Sequence, residues 1–162
     1  MTAVTSPFTE PSRCKRLKAA SSRDHDSVDQ LVMAARPFEN RERYGRFLQV
    51  QHRFHGSLLA LYQDEQLNQQ LPGLAALSRF AAVEADLRDL GLSLPTSTQP
   101  VCVSSAQALG WLYCSEGSNL GAAFLYKHTQ RLGLEGDKGA RHLAPHPDGR
   151  ALHWRCLLYT SP

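Results

Sequence analysis

His25 precedes Val28 by three residues, so a helix carrying both sets an imidazole on its apolar face. A neutral imidazole there is a competent metal ligand, although a histidine near a helix start is also a common surface residue. Gln51 and His55 fall on the stripe made by Phe47, Phe54 and Leu58. Buried polar groups need partners, so these two either bond a neighbouring helix or carbonyl, or belong to an internal network of hydrogen-bonded water. Arg79, among Ala75, Ala76 and Val83, could be the cation of such a network or reach solvent past its aliphatic stem. Trp154 brings an indole N–H that needs a partner if buried. Glu116 and Asp86 are single acids, read as solvated or in surface pairs. No Ser-His-Asp order, phosphate-binding glycine loop or carboxylate pair is readable. The four cysteines, Cys14, Cys102, Cys114 and Cys156, have no metal-ligand spacing, and Cys114 reads as a small buried hydrophobe.

The second feature is a helix with glycines where helices avoid them. Residues 104–131, SSAQALGWLYCSEGSNLGAAFLYKHTQR, hold Gly110, Gly117 and Gly121. Each costs about 1 kcal/mol relative to alanine, a cost accepted when something must approach the backbone closely. Gly117 and Gly121 share a face with Ser118 beside them. That groove suits a second helix or a flat ligand.

Helical periodicity dominates the elements that must position these residues, and the chain reads as all-α. One helix is expected over 24–35, with Val28, Leu31, Val32 and Ala35 as its stripe and Pro37 as its stop. A second starts after Asn40, a good N-cap, and buries Tyr44, Phe47, Leu48, Phe54, Leu58, Leu61 and Tyr62. A third covers 74–90, with Gly91 at C′. The long helix opens at Ser104, where Gln107 completes a capping box. Another helix begins at residue 150, but CLLYTSP interrupts it. Residues 156–162 are therefore expected to be a foreign tail, with a C-terminal helix lost, residues 1–15 a flexible arm and 16–155 the domain.

The 162 residues suit one domain; 42% are hydrophobic and 20% charged. No apolar run approaches the ~18 residues of a membrane span, and the N-terminus lacks a signal peptide's apolar centre. A cytoplasmic protein without a membrane or nucleic-acid role is expected. The net charge of +3 comes largely from Arg13, Lys15, Arg16, Lys18 and Arg23, read as a solvated arm rather than a nucleic-acid surface.

LGWLYCSEGSNLGAAFLYK (residues 109–127), with DQLV after His25, RPFENRERYGRF, LPGLAALSR and GARHL, resembles the bacterial biliverdin-producing haem oxygenases of haem-iron acquisition. The likeness runs from about residue 16 to 154. It implies a helical domain with haem, both substrate and cofactor, between a proximal helix and the glycine-bearing distal helix. His25 takes the place of the iron ligand. Gly117, Ser118 and Gly121 lie over the other haem face, with Tyr113 one turn earlier. Gln51, His55, Arg79 and Trp154 match the distal water network, which supplies protons without a strong acid near the iron. Lys18, Lys127 and His128 match polar or cationic positions at the haem edge and propionates. Met33 and His128 stand where some members carry lysines, which bears on which meso carbon reacts. The implied reaction cleaves haem to biliverdin, CO and iron with O2. Lacking a nucleotide-binding fingerprint or cluster-type cysteines, the chain would take electrons from a separate ferredoxin or reductase-type protein. A complete chain is expected to be a monomer, whereas loss of the C-terminal helix is expected to expose apolar surface that favours aggregation or dimerisation. A non-catalytic haem carrier or sensor, and a helical interaction module, are the alternatives.

Overall fold

The computed structural model of the chain describes residues 13–96, 98–147 and 149. These are helical: α1 (Arg13–Ala34), α2 (Arg41–Gln63), α3 (Glu65–Gln70), α4 (Phe80–Asp89) and α5 (Ser105–Thr129), with 3-10 turns at Leu74–Leu77, Gln130–Leu132 and Arg141–Leu143. No strand forms among the described residues; Glu135 makes isolated bridges to Lys138 and Gly139. None of the described helices is long and apolar enough to cross a membrane. The helix expected at residue 150, Trp154 and the tail over 156–162 lie outside the described residues, as do residues 1–12 of the expected arm.

Contacts group the chain into two compact units, Met1–Ala35 and Arg36–Pro162. In the first, α1 begins at Arg13, well ahead of Asp24, so residues 13–15 are helical where an arm was expected. No glycine or proline interrupts it. Ser21 and Ser22 return their hydroxyls to the carbonyls of Leu17 (2.9 Å) and Ala19 (3.1 Å), which reconciles two serines with a helix interior. The helix ends at Ala34, ahead of Pro37, which cannot continue it.

The second unit is organised around α2. Asn40 caps it by accepting the Arg43 N–H at 2.9 Å. Tyr44, Phe47, Leu48, Leu58, Leu61 and Tyr62 are buried as the periodicity predicts, and Phe54 is half-buried. Leu58, Leu61 and Tyr62 pack with Leu67, Leu71, Leu74, Ala108 and Leu112, joining α2, α3 and α5 in one apolar cluster. Asp64 ends α2 and caps α3, its carboxylate accepting the Leu67 N–H at 2.8 Å. Gly56 permits close packing: a Cβ there would lie 2.4 Å from Thr98 and 2.8 Å from Phe80.

The helix expected over 74–90 is split. Gly73 takes a left-handed conformation (φ 87°), and Ser78 is extended (ψ 127°), which confines residues 74–77 to a 3-10 turn and restarts the helix at Phe80. Its end is as expected. Gly91 is left-handed (φ 69°), Gly91 N–H bonds Arg88 O at 2.9 Å, and Leu92 N–H bonds Leu87 O at 3.0 Å, the double bond of a Schellman motif. At the start of α5, Ser104 N–H donates to Gln107 Oε1 at 3.0 Å.

Candidate active site

Helix α5 has two unlike faces. Ala108, Leu112, Ser115, Glu116, Asn119, Ala122 and Thr129 are buried. Gly110, Cys114, Gly117, Gly121, Phe124 and His128 recur at spacings of three and four and so form a line on the other side. A Cβ built on Gly110 or Gly121 would meet nothing within 4 Å. Beside that line Leu120 is 42% exposed, and on it Phe124 is 58% exposed. The result is an open apolar surface on which a flat group can approach the backbone. At its end Phe124 meets His128 edge-on at 4.7 Å, and His128 stacks on Phe38 at 5.5 Å. Lys127 is exposed in the same turn and Tyr113 half-buried further back. Ser118 is exposed, its hydroxyl donating to Ser115 O at 2.7 Å.

Cys114 lies on the glycine line and is exposed, not buried as expected. The neighbouring Ser115 and Glu116 occupy the buried arc instead. Glu116 overturns the expectation of a solvated acid: it is 2% exposed. Its Oε1 accepts the Tyr62 hydroxyl at 2.5 Å and its Oε2 the Asn119 amide at 3.1 Å. Tyr62 and Ser115 share a further bond of 2.7 Å. Because the single Tyr62 proton points to Glu116, Ser115 is the donor in that bond. Burial, then the Glu116 charge, pushes the Tyr62 phenol up from its ordinary value.

Asp86 is likewise buried, not solvated. Its carboxylate accepts the N–H groups of Arg141 (2.9 Å) and His142 (3.0 Å), and His142 Nδ1 lies 2.8 Å away. Arg141 also pairs with Asp89. These bonds dock the turn at Arg141–Leu143 on α4. Arg79 stands at the N-cap of α4 rather than within a helix, because the chain breaks at Ser78. Its guanidinium donates to the carbonyls of His142 (2.5 Å) and Ala144 (3.1 Å). Burial lowers its pKa, an effect opposed by Glu116 and Tyr62. Arg79 and Glu116 also line an open recess of about 170 Å³ with Ala82, Arg141 and Pro147.

His55 is buried beside this cluster. Burial, then His142 and Arg79, lowers its pKa to about 3, so the ring is neutral at ordinary pH. His142 is also lowered by burial, against the pull of Asp86. His55 Nδ1 and His142 Nε2 have no hydrogen-bond partner among the described residues. Gln51, expected on the buried stripe, is half-buried, and His52 is buried instead. His52 lies four residues after Leu48 and so shares its line; its ring packs on Phe80 at 4.8 Å.

His25 belongs to the other unit. It lies on α1 with its side chain 68% exposed, Nδ1 being 3.5 Å from Asp29 Oδ2 and 3.8 Å from Asp26 Oδ1. Lys18 and Met33 are exposed on the same helix. The second unit thus sets His55 near Arg79 and His142, and Arg79 near Glu116 of the buried face of α5, while the glycine line runs along the opposite face of that helix. The hydrogen bonds that join Tyr62 to Ser115 and Glu116, Asn119 to Glu116, and Asp86 to His142 were not expected from the sequence. Asp86 had left a signal: an acid between Val83 and Leu87, both buried, must have a partner.

Comparison with known proteins adds to this geometry. The haem oxygenase family model matches residues 12–158. Haem oxygenase PigA of Pseudomonas aeruginosa is 43% identical over 149 residues, 90% of this chain and 75% of that protein. A crystal structure of the haem oxygenase of Neisseria meningitidis, solved with NO and CO bound, superposes with a TM-score of 0.86 at 49% identity, over 90% of this chain and 74% of that one. A glycine-lined helix with an open apolar face, a buried polar cluster behind it, and these similarities at substantial identity leave one conclusion: the chain belongs to the haem oxygenase family.

Proposed function

We propose that His25 would ligate haem iron and that the glycine face of α5 would lie against the macrocycle where O2 chemistry takes place. The protein is a haem oxygenase, an oxidoreductase that cleaves haem to biliverdin, CO and iron. Haem is substrate and cofactor together, and its iron supplies the O2 chemistry. The observation that carries the site assignment is the open surface at Gly121 and Phe124, one turn on from half-buried Gly117, which leaves room for a flat macrocycle against the backbone.

The residues present fit haem. The His25 ring is accessible, and Asp29 Oδ2 lies 3.5 Å from its Nδ1, where a carboxylate can orient a ligating imidazole. Leu120 and Phe124 offer apolar contact, and Lys18, Lys127 and His128 offer hydrogen bonds or charge to the propionates. Tyr113 adds an aromatic contact one turn before Gly117. Behind the glycines, neutral His55, Gln51 and Arg79 hold the water that passes protons to the distal side; the orphaned buried nitrogen of His55 supports this role. Ser118, through its bond to Ser115 O, holds the local backbone. Electrons come from a separate ferredoxin or reductase-type protein.

The experiment is a haemin titration followed by ascorbate under air. The wild type should form a six-coordinate haem spectrum and then lose its Soret band as biliverdin appears. His25→Ala should lose the liganded spectrum and turnover while keeping its helicity, and added imidazole should restore part of the spectrum. An unchanged Soret band in His25→Ala removes His25 from the site.

A further inference from the structure

The glycines of α5 have no side chains with which to hold their own position, yet the residues flanking them are anchored from behind. Ser115 and Glu116 immediately precede Gly117, and Asn119 follows it. Tyr62 of α2 bonds Ser115 at 2.7 Å and Glu116 at 2.5 Å, and Asn119 bonds the second oxygen of the same carboxylate. All four side chains are at least nine-tenths buried. A buried carboxylate stripped of a donor is costly, so this arrangement tolerates little rotation or sliding of α5 about the Tyr62 hydroxyl. A helix turns 100° per residue, so even a small roll re-aims the Gly117–Gly121 line.

From this we infer that Tyr62 and Glu116 form a positioning pair that fixes the glycine face of α5 over the haem and so decides which meso carbon is cleaved. The inference rests on the reading of that face as the haem surface. Neither residue touches the reacting atoms; each acts through the helix backbone.

The test is the biliverdin isomer ratio of the haem-loaded protein after ascorbate turnover, separated chromatographically, with a thermal melt of each variant. Tyr62→Phe and Glu116→Ala should raise the share of the minor isomer on the order of fivefold, the ratio equivalent to one net hydrogen bond. Glu116→Gln keeps an oxygen to accept the Tyr62 proton and should shift the ratio less than Glu116→Ala. If Tyr62→Phe does not fold, Asn119→Ala, which removes one bond to Glu116 and leaves Tyr62 in place, should give a smaller shift in the same direction. A lowered melting midpoint with an unchanged isomer ratio would make the pair structural and overturn the inference. A wild-type chain that leaves haemin intact would overturn the haem reading and the positioning role together. A wild type that cleaves haemin, with every variant keeping its ratio, would overturn the positioning role alone.

Discussion

His55 makes the stability of this protein acid-sensitive in a calculable way. Its imidazole is 6% exposed, its Nδ1 has no partner among the described residues, and its pKa falls to about 3 in the folded protein. In the unfolded chain it returns to about 6.5. The folded pKa is the lower one, so as pH falls the unfolded state takes the proton first. Stability is intact above about pH 6.5, declines below it, and stops declining from this source below about pH 3. At about pH 4.5, two units below the unfolded value, the loss is roughly 3 kcal/mol. Urea unfolding of the haem-free protein at about pH 7 and about pH 4.5 measures the total change. The same pair of measurements on His55→Gln, which cannot titrate there, isolates the histidine. The wild type should lose roughly 3 kcal/mol more than the variant between the two conditions. His142, also lowered by burial, stays in both proteins and largely cancels in the difference. Equal losses would mean that protonated His55 finds water or an acceptor in the folded state, and the argument from burial would fail.

Three further outcomes follow from the packing. Gly121→Leu should keep or slightly raise the thermal midpoint, because its Cβ meets nothing and leucine is the better helix former by about 0.8 kcal/mol, while haemin affinity falls on titration. An unfolded variant would instead make the glycine line a packing site. Gly56→Ala should cost about 1–3 kcal/mol by denaturant melt, because its Cβ would clash with Thr98 and Phe80; a neutral result would show that those side chains yield freely. Asp86→Asn should cost about 1.5–3 kcal/mol by the same measurement and speed proteolysis near Arg141, since an amide cannot accept all the bonds that dock that turn. Wild-type stability and cleavage would remove Asp86 from that role.

What the sequence determined by itself is local. Asn40 caps α2, Gly91 ends α4, Ser104 and Gln107 open α5, and the 3.6-residue period picks out Tyr44, Leu48, Leu58 and Tyr62 as buried. Each of these depends on bonds or contacts within a turn or two of chain, or on a periodicity that any amphipathic helix shows. The glycine line was readable for the same reason: its spacing alone put Gly117 and Gly121 on one face. The tertiary structure decided which polar residues were inside. Glu116 and Asp86 read as surface acids because their partners, Tyr62 and the Arg141–Leu143 turn, lie more than fifty residues away in sequence. Cys114 and His52 changed places with the residues expected at the exposed and buried positions because the packed arc of a helix is set by where its neighbours press, and periodicity leaves that rotation free by a residue. A charge is buried only where distant groups arrive to satisfy it, so the polar cluster behind the glycines exists only once α2, α4 and α5 are brought together.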